Sequence, residues 1–129
     1  MLNIELAKAV RERIADDNNH FDMRFYALDK NSKATGLVKS LNDCGTACCL
    51  AGHTIAAAKN LGYEVDEDIQ YCILTTAGEL LGLSNMKAYY WFTGCHWSKQ
   101  KSMKDVTREE TIEFLDKQIA KAELQKAKA

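Results

Sequence analysis

The residue types with most chemical potential lie together in Asp43-Cys44-Gly45-Thr46-Ala47-Cys48-Cys49-Leu50-Ala51-Gly52-His53. Residues 47–58 contain no Asp, Glu, Lys or Arg, so Cys44 sits just before what reads as a charge-free helix. Unpaired N–H groups at a helix start favour an anion, which would make the Cys44 thiol a nucleophile if a base stood near it. His20, His53 and His96 are the histidines available, and the catalytic candidates are Cys44, His53 and His96. The competing reading is packing: Cys44 caps the helix, while Cys48 and Cys49 fill tight helix contacts as small hydrophobes. The Asp43 carboxylate beside Cys44 also opposes a thiolate. A metal site is a third option. Cys49 and His53 share a helix face at i, i+4, and Cys95 and His96 would complete a set of two sulfurs and two nitrogens suited to zinc. However, the chain holds neither a C-x-x-C nor an H-x-x-x-H pair. Packing is therefore the expectation, with no catalytic set, no metal and no cofactor.

A second concentration is aromatic. Tyr89, Tyr90, Trp91, Phe92 and Trp97 fall within nine positions, too many for one face of a short helix to bury. Between residues 61 and 97 the only Lys or Arg is Lys87, against Glu64, Asp66, Glu67, Asp68 and Glu79. The expected binding surface for a protein partner combines Tyr89, Tyr90, Trp91 and Trp97 with Glu64, Asp66, Glu67 and Asp68, because Tyr and Trp dominate interface hot spots. The alternative is that Trp91 and Phe92 close the core while Tyr89 and Tyr90 keep only their hydroxyls in water. Residues 77–88 superficially resemble a helix-turn-helix, but a helix that reads base edges needs polar and basic side chains there. Nucleic acid is not an expected partner.

The elements that must position these residues read as helices throughout. Pro is absent and Gly numbers 7 of 129 residues, so no proline interrupts a helix. Asn3 caps a first helix near residues 4–16 with Leu6, Val10 and Ile14 on one stripe. Residues 29–43 are polar and irregular, with a short helical turn allowed before them. The central helix runs over residues 47–58, and Ala47, Ala51, Thr54 and Ala58 form a small-residue seam along it. Gly62 ends it. Asp66 caps the next helix, which stops at Gly82 with Leu83 as its hydrophobic companion. Ser84 then opens a helix over Asn85–Thr93 that ends at Gly94, and the two form a tight hairpin. Thr107 and Glu110 have capping-box spacing for a last helix, frayed from about residue 122. No stretch alternates long enough to seed a sheet.

Four segments in order, Phe21-Asp22-Met23, residues 44–53, Leu80-Leu81-Gly82-Leu83-Ser84 and Val106-Thr107-Arg108-Glu109-Glu110, resemble a family of small uncharacterised proteins of bacteria, phages and prophages. That family carries F-D-M, a C-G-T-x-x-C-[IL]-A-G helix, an L-L-G-L-[ST] hairpin followed by aromatic residues, and a closing V-T-x-E helix. The resemblance covers residues 21–115. It implies an accessory protein of phage or mobile-element type and brings no established activity. His53 stands where the family commonly has Trp, which favours packing over catalysis for the central helix.

Length, composition and charge agree with this class. The 129 residues suit one domain, the apolar share of 47% and charged share of 27% are those of a globular chain, and the net charge of −1 supplies no excess to hold phosphate or an anionic membrane. The start, MLNIELAKAV, has a carboxylate inside its apolar run and no basic residue before it, unlike a secretory signal. The expectation is therefore a cytoplasmic, single-domain, all-α bundle of about five helices spanning residues 1–129, with reduced cysteines and no membrane partner. Its function is non-enzymatic binding of another protein, with modulation or inhibition of a host factor as one form of it. The alternatives are a cysteine-dependent hydrolase or transferase using Cys44 and a small zinc-stabilised module.

Overall fold

The computed structural model describes residues 1–16, 20–21, 47–65, 73–94, 96–100, 102 and 105–128. The protein is an all-α bundle whose described residues form five helices: α1 Ile4–Ala15, α2 Leu50–Asn60, α3 Ile73–Leu81, α4 Asn85–Thr93 and α5 Arg108–Lys128. A two-residue parallel pair accompanies them, β1 His20–Phe21 against β2 Ala47–Cys48, with His20 opposite Ala47 and Phe21 opposite Cys48.

Every residue of α2 from Leu50 to Ala58 is buried, as a helix without charges must be if it is to avoid water on all sides. α1 and α3 pack against it, α5 lies across α1, and α4 folds back on α3. Leu6, Val10 and Ile14 of α1, Leu50 and Ile55 of α2, Leu81 of α3 and Leu115 of α5 are completely buried. Ala51, Thr54 and Ala58 are equally inaccessible, so the small-residue seam is in place from residue 51 onward. The Thr54 hydroxyl is not stranded there, because it donates to the Leu50 carbonyl at 2.8 Å.

Helix ends follow local chemistry. The Asn3 side chain accepts from the Leu6 N–H at 3.2 Å, while its amide nitrogen donates to the Tyr63 hydroxyl and the Leu80 carbonyl. Its backbone N–H donates to the Leu81 carbonyl at 2.8 Å. One cap thus ties the start of α1 to the end of α3. Gly62 (φ 92°) and Gly82 (φ 78°) close α2 and α3 with the same pair of bonds, Tyr63 to Ala58 and Gly62 to Lys59, Leu83 to Gly78 and Gly82 to Glu79. Ser84 caps α4 by accepting from the Lys87 N–H, and Gly94 ends it in the left-handed conformation. At α5 the Thr107 hydroxyl accepts from the Glu110 N–H, and Glu110 Oε1 accepts in return from the Thr107 N–H at 3.2 Å.

Two boundaries differ from the pattern in the sequence. The central helix begins at Leu50 with Cys49 as its cap, whose sulfur accepts from the Gly52 N–H at 3.5 Å, because Ala47 and Cys48 are committed to the ladder with β1 and cannot also wind into a helix. α5 continues to Lys128, well past residue 122; Glu123 pairs with Lys8 of α1 at 2.6 Å, and Ala- and Lys-rich sequence favours helix on its own. The expected Asp66 cap lies outside the described residues. None of the described helices is long and apolar enough to cross a membrane.

Gly82 should be intolerant of any side chain. Its positive φ strains L residues, and a Cβ would run into the Met1 carbonyl oxygen. Gly82→Ala is expected to cost about 1–2 kcal/mol from φ alone, plus displacement of the N-terminal segment, read as a lower denaturant midpoint. Gly62→Ala, where a Cβ meets nothing within 4 Å, should lose only the φ component.

The capping box makes an acid-side prediction. Desolvation pushes the Glu110 carboxyl up, but hydrogen bonds from the Gln100 side chain, the Thr107 and Lys99 N–H groups and the Thr107 hydroxyl outweigh it and hold the pKa below the usual glutamate value. A depressed pKa stabilises the fold above the unfolded-state value, and that contribution is lost as pH falls through the folded one. The stability gap between wild type and Glu110→Gln should therefore be constant at neutral pH and shrink below about pH 4.3, measured by urea unfolding across pH.

Candidate functional site

Three of the six exposed large hydrophobic side chains among the described residues fall within five positions of α4: Met86 (85% exposed), Tyr89 (62%) and Tyr90 (41%). The others, Met1, Leu61 and Leu124, are scattered. Positions 86, 89 and 90 are i, i+3 and i+4, so they form one outward stripe. Ala88, Trp91 and Phe92 occupy the opposite face and are buried. Close approach of α3 fixes that division, since a Cβ on Gly78 would come within 2.7 Å of Ala88 Cβ. α4 can rotate little without collision, and its remaining aromatic rings are held outward.

Trp91 accordingly belongs to the core at 4% exposure and is corrected as a surface residue. Its ring meets Phe114 of α5 edge-on at 5.1 Å, and Trp97 stacks on the same Phe114 at 4.3 Å while its indole N–H donates to the Trp91 carbonyl at 3.0 Å. Trp97 is half-buried in this arrangement. The ring of His96, itself exposed, stacks on Tyr90 at 5.5 Å. Tyr90 also leans on Phe114 at 6.4 Å, so it is braced from two sides. Rigid aromatic surface suits binding because little side-chain entropy remains to be lost. Glu64 is exposed; Asp66, Glu67 and Asp68 lie outside the described residues. Met86 was not expected at this surface, although its spacing from Tyr89 and Tyr90 would have pointed to it.

The candidate chemistry of the central motif resolves differently. His53 is completely buried, its ring stacks on Phe21 at 6.1 Å, and its Nδ1 accepts from Arg13 Nε at 3.2 Å. That bond assigns the proton to Nε2 and engages the nitrogen that a metal or a thiol would need. Cys49 is buried with its sulfur turned to its own helix start. His53 is thus an interior group beside Arg13, while His96 is a surface group on Tyr90. Among the described residues no three His, Cys, Asp or Glu side chains come together as metal ligands do. Cys44 and Cys95 lie outside the described residues.

Metal content is checked by elemental analysis of protein purified without chelator. The expected result is well below one zinc per chain and a thermal midpoint unmoved by chelation, because the Cys49 and His53 donor atoms already have bonds within the fold. A stoichiometric ion whose removal lowers the midpoint would reverse this reading.

No known family model, no curated protein and no solved structure matches the chain.

Proposed function

We propose that the protein is a non-enzymatic accessory protein of phage or mobile-element type that acts in the cytoplasm of a bacterial host by binding another protein. The observation that carries the protein-binding part of this reading is the outward stripe of Met86, Tyr89 and Tyr90 on a helix whose orientation is locked by Gly78 and Ala88. Contiguous apolar surface of this kind marks interaction sites, whereas isolated exposed hydrophobics are ordinary. Lys87 is the one charged residue of α4, which suits a protein surface better than a phosphate backbone. The burial of His53 and Cys49 supports binding over catalysis, since neither is open to a substrate.

The test is differential capture from host extract. Immobilised wild type and a Lys117→Gln control should retain the same protein, and Met86→Ser/Tyr89→Ser should lose it with an unchanged thermal midpoint. Equal retention by all three would exclude α4 as the binding face.

A further inference from the structure

A cavity of about 350 Å³ is lined by residues of both α4 and α5. Its two long walls are matched helix stripes: Lys87, Tyr90 and Trp91 at i, i+3, i+4 from α4, and Gln118, Lys121, Ala122 and Gln125 at i, i+3, i+4, i+7 from α5. The end is closed by Met1, Leu2, Gly82 and Leu83, and that closure is anchored by the Asn3 bond to Leu81. The lining therefore combines a few apolar side chains with two lysines and two primary amides, and it has no carboxylate.

The absence of acid in this wall is built in. Glu113 pairs with Lys117, Asp116 with Arg11 and Glu123 with Lys8, so these acids of α5 are engaged elsewhere. Among the described residues Lys87 and Lys121 form no ion pair. Two lysines without an ion pair on the wall of one cavity that has Leu2 and Leu83 at its end call for an anion that carries an apolar group. The volume corresponds to about a dozen water molecules, enough for one large aliphatic side chain with its carboxylate. Gln118 and Gln125 each present a donor and an acceptor, which complements the N–H and C=O of a peptide group and has no counterpart in a fatty acid.

We infer that this cavity binds the C-terminal residue of a partner polypeptide, with the terminal carboxylate between Lys87 and Lys121, a large aliphatic side chain against the half-buried Leu2 and Leu83, and the preceding peptide group on the glutamines. This rests on the protein-binding reading above and specifies which part of the partner is held. Tyr90 belongs to both surfaces, so the body of the partner continues from the cavity onto the outward face of α4.

The probe is acetyl-Gly-Gly-Leu with a free carboxylate, titrated into the full chain and followed by amide chemical shifts. Saturable shifts are expected around Lys87, Tyr90 and Lys121. The C-terminal amide of the same peptide should bind at least about tenfold more weakly, and so should the acid to Lys87→Gln/Lys121→Gln, since a charge-assisted contact is the stronger kind. Lys117→Gln should bind as wild type. Both lysines are exposed, so the variant is expected to fold, checked by its thermal midpoint. Absence of saturable binding, equal binding of acid and amide, an unweakened double lysine variant, or octanoate binding as tightly as the peptide would each overturn the inference. Loss of capture by Met86→Ser/Tyr89→Ser alongside any of these would leave the protein-binding reading standing, so the two failures are distinguishable.

Discussion

The constraint on which the structure depends is the need to cover α2 on every side. A helix with no charge from Leu50 to Ala58 has no face it can offer to water, and burying it requires α1, α3 and α4 around it. Small side chains at Ala51, Thr54 and Ala58 make that enclosure possible, because neighbouring backbones can come near without voids between them. The same enclosure decides the fate of the polar groups on α2. Thr54 is satisfied by its own helix, and His53 by Arg13, which reaches in from a half-buried position on α1.

Much of this was legible because helix ends are written in local chemistry. Asn3, Ser84 and the Thr107–Glu110 pair each bond the backbone within three residues, and the three glycines at helix ends take their positive φ wherever their neighbours are. The boundary that was misjudged is non-local. Residues 47–48 look helical by composition, yet their backbone is taken by residues 20–21, and no local signal announces a partner so distant in the chain. The reach of α5 to Lys128 has a similar origin, since its charged flank is completed by Lys8 and Arg11 of α1.

The site was legible to a lesser degree. Aromatic crowding in α4 pointed to surface exposure, but crowding does not say which ring turns inward. That choice is made by Gly78 and Ala88 on one side and Phe114 on the other, contacts across 10 and 23 positions of sequence. Hence Trp91 became core, while Met86, whose side chain carries no polar group to suggest exposure, became surface. Of the cysteine and histidine motif, Cys49 and His53 lie inside, each held by packing and a hydrogen bond.

The ion pair between Arg11 and Asp116, 105 positions apart, places the first and last helices side by side. On the ribosome α1 is made well before α5, which supplies part of its cover. Until α5 has emerged, a helix stripe of Leu6, Val10 and Ile14 must wait with part of its neighbourhood absent, presenting apolar surface in the meantime. A chain stopped short of α5 would keep that exposure permanently. Emergence of α5 is thus the event that seals α1, and chaperones that shield nascent apolar segments have their opportunity at that helix until then.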